Sequence, residues 1–322
     1  MAELRRTKLG VVGAGAVGTA VAYNAQIRGL AREIALFDVN GPKVRAEVLD
    51  MAHGSQFSSS RVTGGDDVAV LEGSDVVVVT AGAAQQPGQT RLDLAARNVS
   101  IMRTLLPQVL DQAPDAVVVL VTNPCDVLTA VAVDELGVSP ARVFSSGCVL
   151  DSSRLRWLIA EKARVSPSSV HAMVVGEHGD SEFPLWSSSR IGHTPVTEWT
   201  EKGEPLFTPE SLAEMTRGVV NAAYTVIEGK GATNYAIGLA AGRIVQAVLR
   251  DEQAVLPVSS VLQASQLDPS LEELDGIALS LPTIVGAGGA ERVISPAMVD
   301  EERERLLASG RALASAARRA RP

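Results

Sequence analysis

From Lys8 onward, short β-branched runs alternate with helix-length stretches, and that alternation leaves few folds open to the chain. Residues 9–12, 34–37, 76–80, 117–122 and 143–145 are continuously apolar, as strands covered on both faces must be. Between the first two, Val17, Ala20, Val21, Asn24 and Ile27 recur at helical spacing, and the run ends beside Gly29. The expected class is therefore α/β, a doubly wound parallel sheet built from βαβ units. After Gly147 the rhythm changes to a helix over 151–162, strands around 170–175 and helices over 208–228 and 233–249. Hairpin-like runs at 255–262, 276–282 and 283–285 follow, then an amphipathic final helix over 295–317 with Leu306, Leu307, Leu313 and Ala314 on one side. A chain of 322 residues exceeds what one core usually supports, so two domains are expected, 1–147 and an α+β unit over 148–322.

The composition excludes several classes of function. A net charge of −8 and 3% aromatic residues do not make a phosphate-tracking surface with stacking platforms, so no nucleic acid is expected as partner. The longest apolar runs are far too short to cross a bilayer, and the charged start, Met1 to Lys8, shows no secretory signal. Cys125 and Cys148 have neither metal-site spacing nor a disulfide framework, so no metal is expected and a reducing cytoplasm fits best.

Gly13-Ala14-Gly15-Ala16-Val17-Gly18 follows a strand and opens a helix, where glycines permit a tight turn and close backbone approach to a pyrophosphate. Taken alone, such a loop is also read as a structural turn or a site for another nucleotide. Asp38 ends the second strand 20 residues beyond Gly18, placed to accept hydrogen bonds from ribose hydroxyls. A 2′-phosphate there would meet a like charge at roughly 1–4 kcal/mol, which favours NAD over NADP. The first half is thus expected to be a Rossmann dinucleotide-binding domain, with Gly82, after the strand at 76–80, lining the same crevice.

In Gly176-Glu177-His178-Gly179-Asp180-Ser181-Glu182, one imidazole sits among carboxylates at the end of an apolar run. Histidine is suited to moving a proton reversibly near neutral pH, although a glycine-flanked histidine is equally an ordinary turn residue. Asp151 and Arg154 stand three apart on a helix and share a face, as surface ion pairs also do. A Gly/Pro/Gln-rich loop over 81–91, ending in Arg91, is built to fold over a substrate or simply to lie in solvent. Asn123-Pro124 ends the fourth strand, either as a ligand-facing amide or as a strand-ending turn.

Together these stretches resemble the NAD-dependent lactate and malate dehydrogenases. The matching segments are 13–18, Pro-Gly-Gln-Thr-Arg-Leu at 87–92, Thr-Asn-Pro at 122–124, Leu-Asp-Ser-Ser-Arg at 150–154, 176–182 and Gly-Lys-Gly-Ala-Thr at 229–233. The resemblance implies that His178 gives a proton to the pyruvate carbonyl during reduction and takes it back from L-lactate. It implies that Asp151 fixes the imidazole, that Arg154 clamps the substrate carboxylate, and that Arg91 swings in to polarise the carbonyl. Asn123 would orient substrate and nicotinamide, Thr233 would line the pocket, and Gly13, Ala16, Val17, Gly18, Asp38 and Gly82 would hold the cofactor.

Six positions before Arg91 the family selects its substrate, with arginine in the malate enzymes; here the residue is Gln85. A dianion beside a neutral amide would keep one charge unpaired, so pyruvate is expected over oxaloacetate. Arg156 and His171 occupy the places where bacterial members activated by fructose 1,6-bisphosphate hold the sugar phosphates between subunits, which implies an allosteric homotetramer. The plain reading of that pair is a solvated helix residue and a strand-end histidine. Cys125 and Cys148 stand where valine and threonine are usual, near-isosteric changes expected to alter packing only. Two readings of other classes are an NAD-dependent glycosidase, which needs a Cys/His metal site, and a non-catalytic NAD sensor, which has no need of the acid–imidazole pair.

Overall fold

The computed structural model describes residues 7–83 and 91–320, with the backbone alone for 91–93. Its centre is an eight-stranded sheet. In chain order the first half supplies β1 (Lys8–Val12), α1 (Ala16–Arg28), β2 (Glu33–Phe37), α2 (Gly41–His53), β3 (Arg61–Gly65), β4 (Val76–Val79), α3 (Arg91–Gln112), β5 (Val117–Leu120), α4 (Cys125–Leu136) and β6 (Val143–Ser145). These strands pair in parallel in the order β3-β2-β1-β4-β5-β6, the arrangement of a doubly wound nucleotide-binding sheet.

The apolar strands feed both faces alternately, because side-chain direction reverses at each residue. Val77, Val79, Val118 and Leu120 join the core under α3, α4 and the C-terminal helix, while Val76, Val78, Val117 and Val119 join the core under α1 and the helix Tyr235–Leu249. All eight are buried, each stabilising the sheet by about 1.5–3 kcal/mol relative to exposure.

β3 escaped the sequence reading because it is an edge strand, with Val62 its one buried residue and two glycines at its end. The second half supplies α5 (Val149–Ala163), α6 (Pro209–Lys230), α7 (Tyr235–Leu249), β7 (Ser259–Val261), β8 (Ala278–Ser280) and α8 (Asp300–Ala320). β7 pairs antiparallel with β6, and β8 with β7, so the central sheet runs on past Gly147 into the second half. The apolar run at 255–262 was expected to be one hairpin arm. Pro257 divides it: Ala254–Leu256 joins a separate sheet with Thr283–Gly286, and only Ser259–Val261 joins the main one.

The helices also differ in detail from expectation. α1 ends at Gly29, whose φ of 57° gives the left-handed cap, yet Ile27 is 67% exposed. The buried face keeps Val21 and Asn24 of the expected run and adds Gly18, Ala22 and Ala25, because α1 lies close against α7. A Cβ on Gly238 would come within 3.0 Å of Ala20, and the Asn24 amide donates to the Gly238 carbonyl at 3.1 Å. α8 starts at Asp300, later than the run at 295 suggested, and carries acids in its first turn and arginines in its last. The run at 170–175 is two short strands, Val170–His171 and Val174–Val175, in different sheets. Among the described residues no helix is long and apolar enough to cross a membrane.

Candidate active site

Val174–Val175 and Phe183–Pro184 form a short antiparallel hairpin, and its connection carries His178. Gly176 anchors that connection to β8: its N–H donates to the Ser280 carbonyl at 3.0 Å and its carbonyl accepts from Ser280 at 2.9 Å. At φ 93° only glycine is comfortable there.

His178 faces the first turn of α5. Its Nδ1 lies 2.6 Å from Asp151 Oδ2, while Asp151 Oδ1 accepts from Arg154 Nη1 at 2.7 Å. One fully buried carboxylate thus joins His178 of the hairpin connection to Arg154, with which it shares a helix face. Two acids sequence reasoning assigned no role complete the site. Asp126, in the first turn of α4, accepts the His178 main-chain N–H at 2.8 Å, and buried Glu182 brings Oε2 within 3.8 Å of Nδ1 and accepts from Gly179 N. The signal for Asp126 was a charged residue just inside an apolar helix; for Glu182 it was the motif itself.

Burial works against a charged imidazole, but the adjacent Asp151 carboxylate, with Glu182 and Asp126 behind it, outweighs that penalty and pushes His178 up to about 9. Burial would raise Asp151 too, yet the imidazolium and Arg154 hold it below the usual carboxylate range. Glu182 is pushed up to about 8 by burial and then by the charge of Asp151, so it keeps its proton near neutral pH. Burial takes Asp126 up to about 6. Near pH 7 the cluster therefore holds two anions, Asp151 and Asp126, against two cations, His178 and Arg154, a balance that buried charge requires. Cys148 also lies among Asp151 and Glu182, with ligand atoms within 4.8 Å of one another. Its thiol is pushed well above the ordinary range by burial and Asp151 is already doubly engaged, so the trio is poorly suited to a metal.

A cleft of about 720 Å³ opens at the carboxyl ends of β1, β2 and β4, lined by Gly13, Gly15, Asp38, Lys43, Gly82 and Arg97 among others. Gly13 has φ 101°, and a Cβ on Gly18 would fall 1.8 Å from the Gly13 carbonyl, so the turn tolerates no side chain there. At Gly15 a Cβ would meet nothing within 4 Å, leaving a bare approach to the N-terminus of α1, which has no side-chain cap. Exposed Ala16 and half-buried Val17 form that first turn. Asp38 accepts from Ala14 N at 2.7 Å and Asn40 N at 2.9 Å, which fixes the carboxylate on the cleft wall. These features fit a dinucleotide, with the pyrophosphate over the loop and a ribose at Asp38.

Asn98, buried within α3 and unremarked in the sequence, ties the cleft edge to the next strand end. Its Oδ1 accepts from Ala83 N and its Nδ2 donates to the Asn123 carbonyl, both at 2.7 Å. Asn123 itself is exposed, and half-buried Thr233 lies between α6 and α7. Arg156 turns away from Arg154 and donates Nε to the Ala172 carbonyl at 2.8 Å, next to exposed His171. Gln85 lies outside the described residues, and Arg91 begins α3 with its side chain outside them.

A cleft shaped for a dinucleotide and a buried acid–imidazole pair in one chain fit a nucleotide-dependent oxidoreductase. Residues 7–145 match the NAD-binding domain of lactate/malate dehydrogenase and residues 148–320 its alpha/beta C-terminal domain, so the chain belongs to the lactate/malate dehydrogenase family. NAD is accordingly its cofactor. It is 44% identical over 312 residues to the L-lactate dehydrogenase of Bifidobacterium animalis subsp. lactis, covering 96% of each chain. With the L-lactate dehydrogenase of Thermus aquaticus the identity is 42% over 310 residues, covering 96% of this chain and 98% of the other. The crystal structure of the minor L-lactate dehydrogenase from Enterococcus mundtii in ligands-bound form superposes with a TM-score of 0.90 at 36% identity, over 97% of this chain and 98% of that one.

Proposed function

We propose that the chain is an L-lactate dehydrogenase that reversibly reduces pyruvate, with His178 as proton donor and acceptor. The observation that carries this reading is the Asp151–His178 pair with Arg154 on the same carboxylate, supported by relatives named for that activity. When bound, the nicotinamide supplies or accepts the hydride. Protonated His178 gives its Nε2 proton to the carbonyl oxygen, with Asp151 fixing the other ring nitrogen. Arg154 retains further N–H groups to pair the substrate carboxylate. Arg91 polarises the carbonyl and Asn123 and Thr233 shape the pocket. The enzyme works in the cytoplasm, in pyruvate fermentation at the end of glycolysis. NADH oxidation with pyruvate and then oxaloacetate tests the assignment, and faster turnover of oxaloacetate would make it a malate enzyme.

Gln85 sets that preference. Gln85→Arg is expected to move the pyruvate-to-oxaloacetate ratio of kcat/KM towards oxaloacetate by at least about 100-fold, since one desolvated charge pair is worth several kcal/mol. An unchanged ratio would remove Gln85 as selector.

The protein acts as a homotetramer activated by fructose 1,6-bisphosphate at Arg156 and His171. Supporting this, Arg156 and His171 lie beside the Ala172 carbonyl, and Arg190 pairs in register with His171, a local basic cluster on an acidic protein. Tyr23, Ile27, Tyr235 and Leu239 leave an apolar groove of about 790 Å³ along α1 and α7, a face suited to a second copy. Pyruvate KM should fall several-fold with the effector, and Arg156→Gln should abolish that response without changing the basal rate at saturating pyruvate. A saturation curve indifferent to the bisphosphate in both proteins refutes it.

A further inference from the structure

Asn98 is fully buried within α3, yet the hydrogen bonds of its side chain all leave the helix. Oδ1 accepts from Ala83 N at 2.7 Å, while Nδ2 donates to the Asn123 carbonyl at 2.7 Å and to the Ala83 carbonyl at 3.3 Å. Both donors of the amide and its oxygen are thus engaged on two stretches of main chain, 15 and 25 positions away. Those stretches are the ends of β4 and β5. Among the described residues, the last backbone hydrogen bond between the two strands runs from Val121 N to the Val79 carbonyl. Beyond it, side chains take over: Thr122 Oγ1 reaches the Ala81 carbonyl at 2.8 Å, and Asn98 spans the final gap. Gly82 lets the two ends come together, since a Cβ there would fall 2.3 Å from Thr122 Cγ2 and 3.2 Å from Asn98 Oδ1.

We propose that Asn98 is a positioning residue: its amide splints the ends of β4 and β5 and so fixes Asn123 against the rim of the cofactor cleft. An apolar side chain of the same size would pack α3 without the cost of burying an amide, so packing alone does not account for the residue. Both strand ends matter to the site. Gly82 and Ala83 line the cleft, and Asn123 is exposed at the neighbouring end. The Asn123 side chain accepts from Cys125 N at 3.4 Å, a long bond, whereas its carbonyl is held by Asn98 at 2.7 Å. The main chain is therefore the firm anchor of Asn123. The proposal rests on the reading of Asn123 as an amide that shapes the substrate pocket, and Asn98 acts through it and not on the substrate.

Asn98→Leu keeps the volume and removes every hydrogen bond, whereas Asn98→Ser keeps a small polar group too short to span both strand ends. Each is made alone and together with Asn123→Ala, and kcat and KM for pyruvate, NADH affinity and the thermal midpoint are measured. Each Asn98 variant should lose about 10-fold or more in kcat/KM, with NADH affinity within about 3-fold of the parent. Once Asn123 is alanine, the same substitutions should cost no more than about a further 2-fold in kcat/KM, although their losses in thermal midpoint should still add. Losses in kcat/KM that multiply in the double variants overturn the proposal, as does an Asn98 variant within about 2-fold of the parent. So does a fall of NADH affinity and thermal midpoint in step with kcat/KM, the mark of a merely structural residue. Should the Leu variant not fold, the Ser series decides. An Asn123→Ala enzyme with unchanged turnover removes the role of Asn123 and the proposal with it. If the parent fails to reduce pyruvate, the functional reading falls, while the same cycle on oxaloacetate turnover still decides the coupling.

Discussion

His178→Asn is expected to lower kcat for pyruvate reduction by about 10³-fold while NADH affinity stays within about 2-fold, because general acid catalysis is worth 10²–10⁴ and asparagine has no proton to give. The expectation follows from where the residue sits. His178 lies on the hairpin connection, whereas the cofactor cleft is walled by the glycine loop, Asp38 and α3, so the substitution leaves the cleft intact. Asparagine can still donate to Asp151, and its main-chain N–H still reaches Asp126, so the loop should keep its course. Single-turnover rates, with NADH binding followed by fluorescence, separate the two effects. Turnover within about 10-fold of the parent would show that the proton comes from elsewhere and would end the assignment of His178.

The sequence carried the scaffold well, for a physical reason. Strands buried on both faces must be apolar throughout, so β1, β2, β4, β5 and β6 announced themselves, and β7 and β8 fell within the hairpin-like runs at 255–262 and 276–282, whereas β3 at the edge did not. The exposure of Ile27, the one member of the α1 run left in solvent, comes from contact with α7, which selects small residues. At the site, Asp151 and Arg154 were visible because helical spacing puts them on one face. Asp126 and Asn98 were hidden because their roles are long-range, to His178 and to Asn123, and nothing local marks them. The balance of two anions against two cations, with Glu182 neutral, depends on burial and is a property only of the folded chain.

That balance makes Asp151→Asn the second large effect. At neutral pH the variant should lose about 10²–10⁴-fold in kcat for pyruvate, because Asn cannot stabilise the imidazolium and leaves the ring tautomer undetermined. The parent reduces pyruvate only while His178 is protonated, so its rate should fall as pH rises through about 9; lactate oxidation, which needs the neutral ring, should rise over the same range. Without Asp151 the alkaline limit should drop towards the ordinary imidazole value of 6.5, but not all the way. Glu182 is kept protonated by burial and by the charge of Asp151; with that charge gone it ionises more easily and, 3.8 Å from Nδ1, partly replaces it. The double variant Asp151→Asn/Glu182→Gln should therefore lose more of the alkaline range than the single one. Stability follows with a definite sign. The raised His178 value contributes stability that is complete below 6.5 and lost as pH rises through about 9, and the lowered Asp151 value contributes stability present above 3.8 and lost in acid. The difference in thermal midpoint between parent and Asp151→Asn should accordingly be greatest between those two values and shrink on both sides. A difference that stays constant across pH would mean that Asp151 holds the site by packing alone, and the electrostatic account of the imidazole would fail.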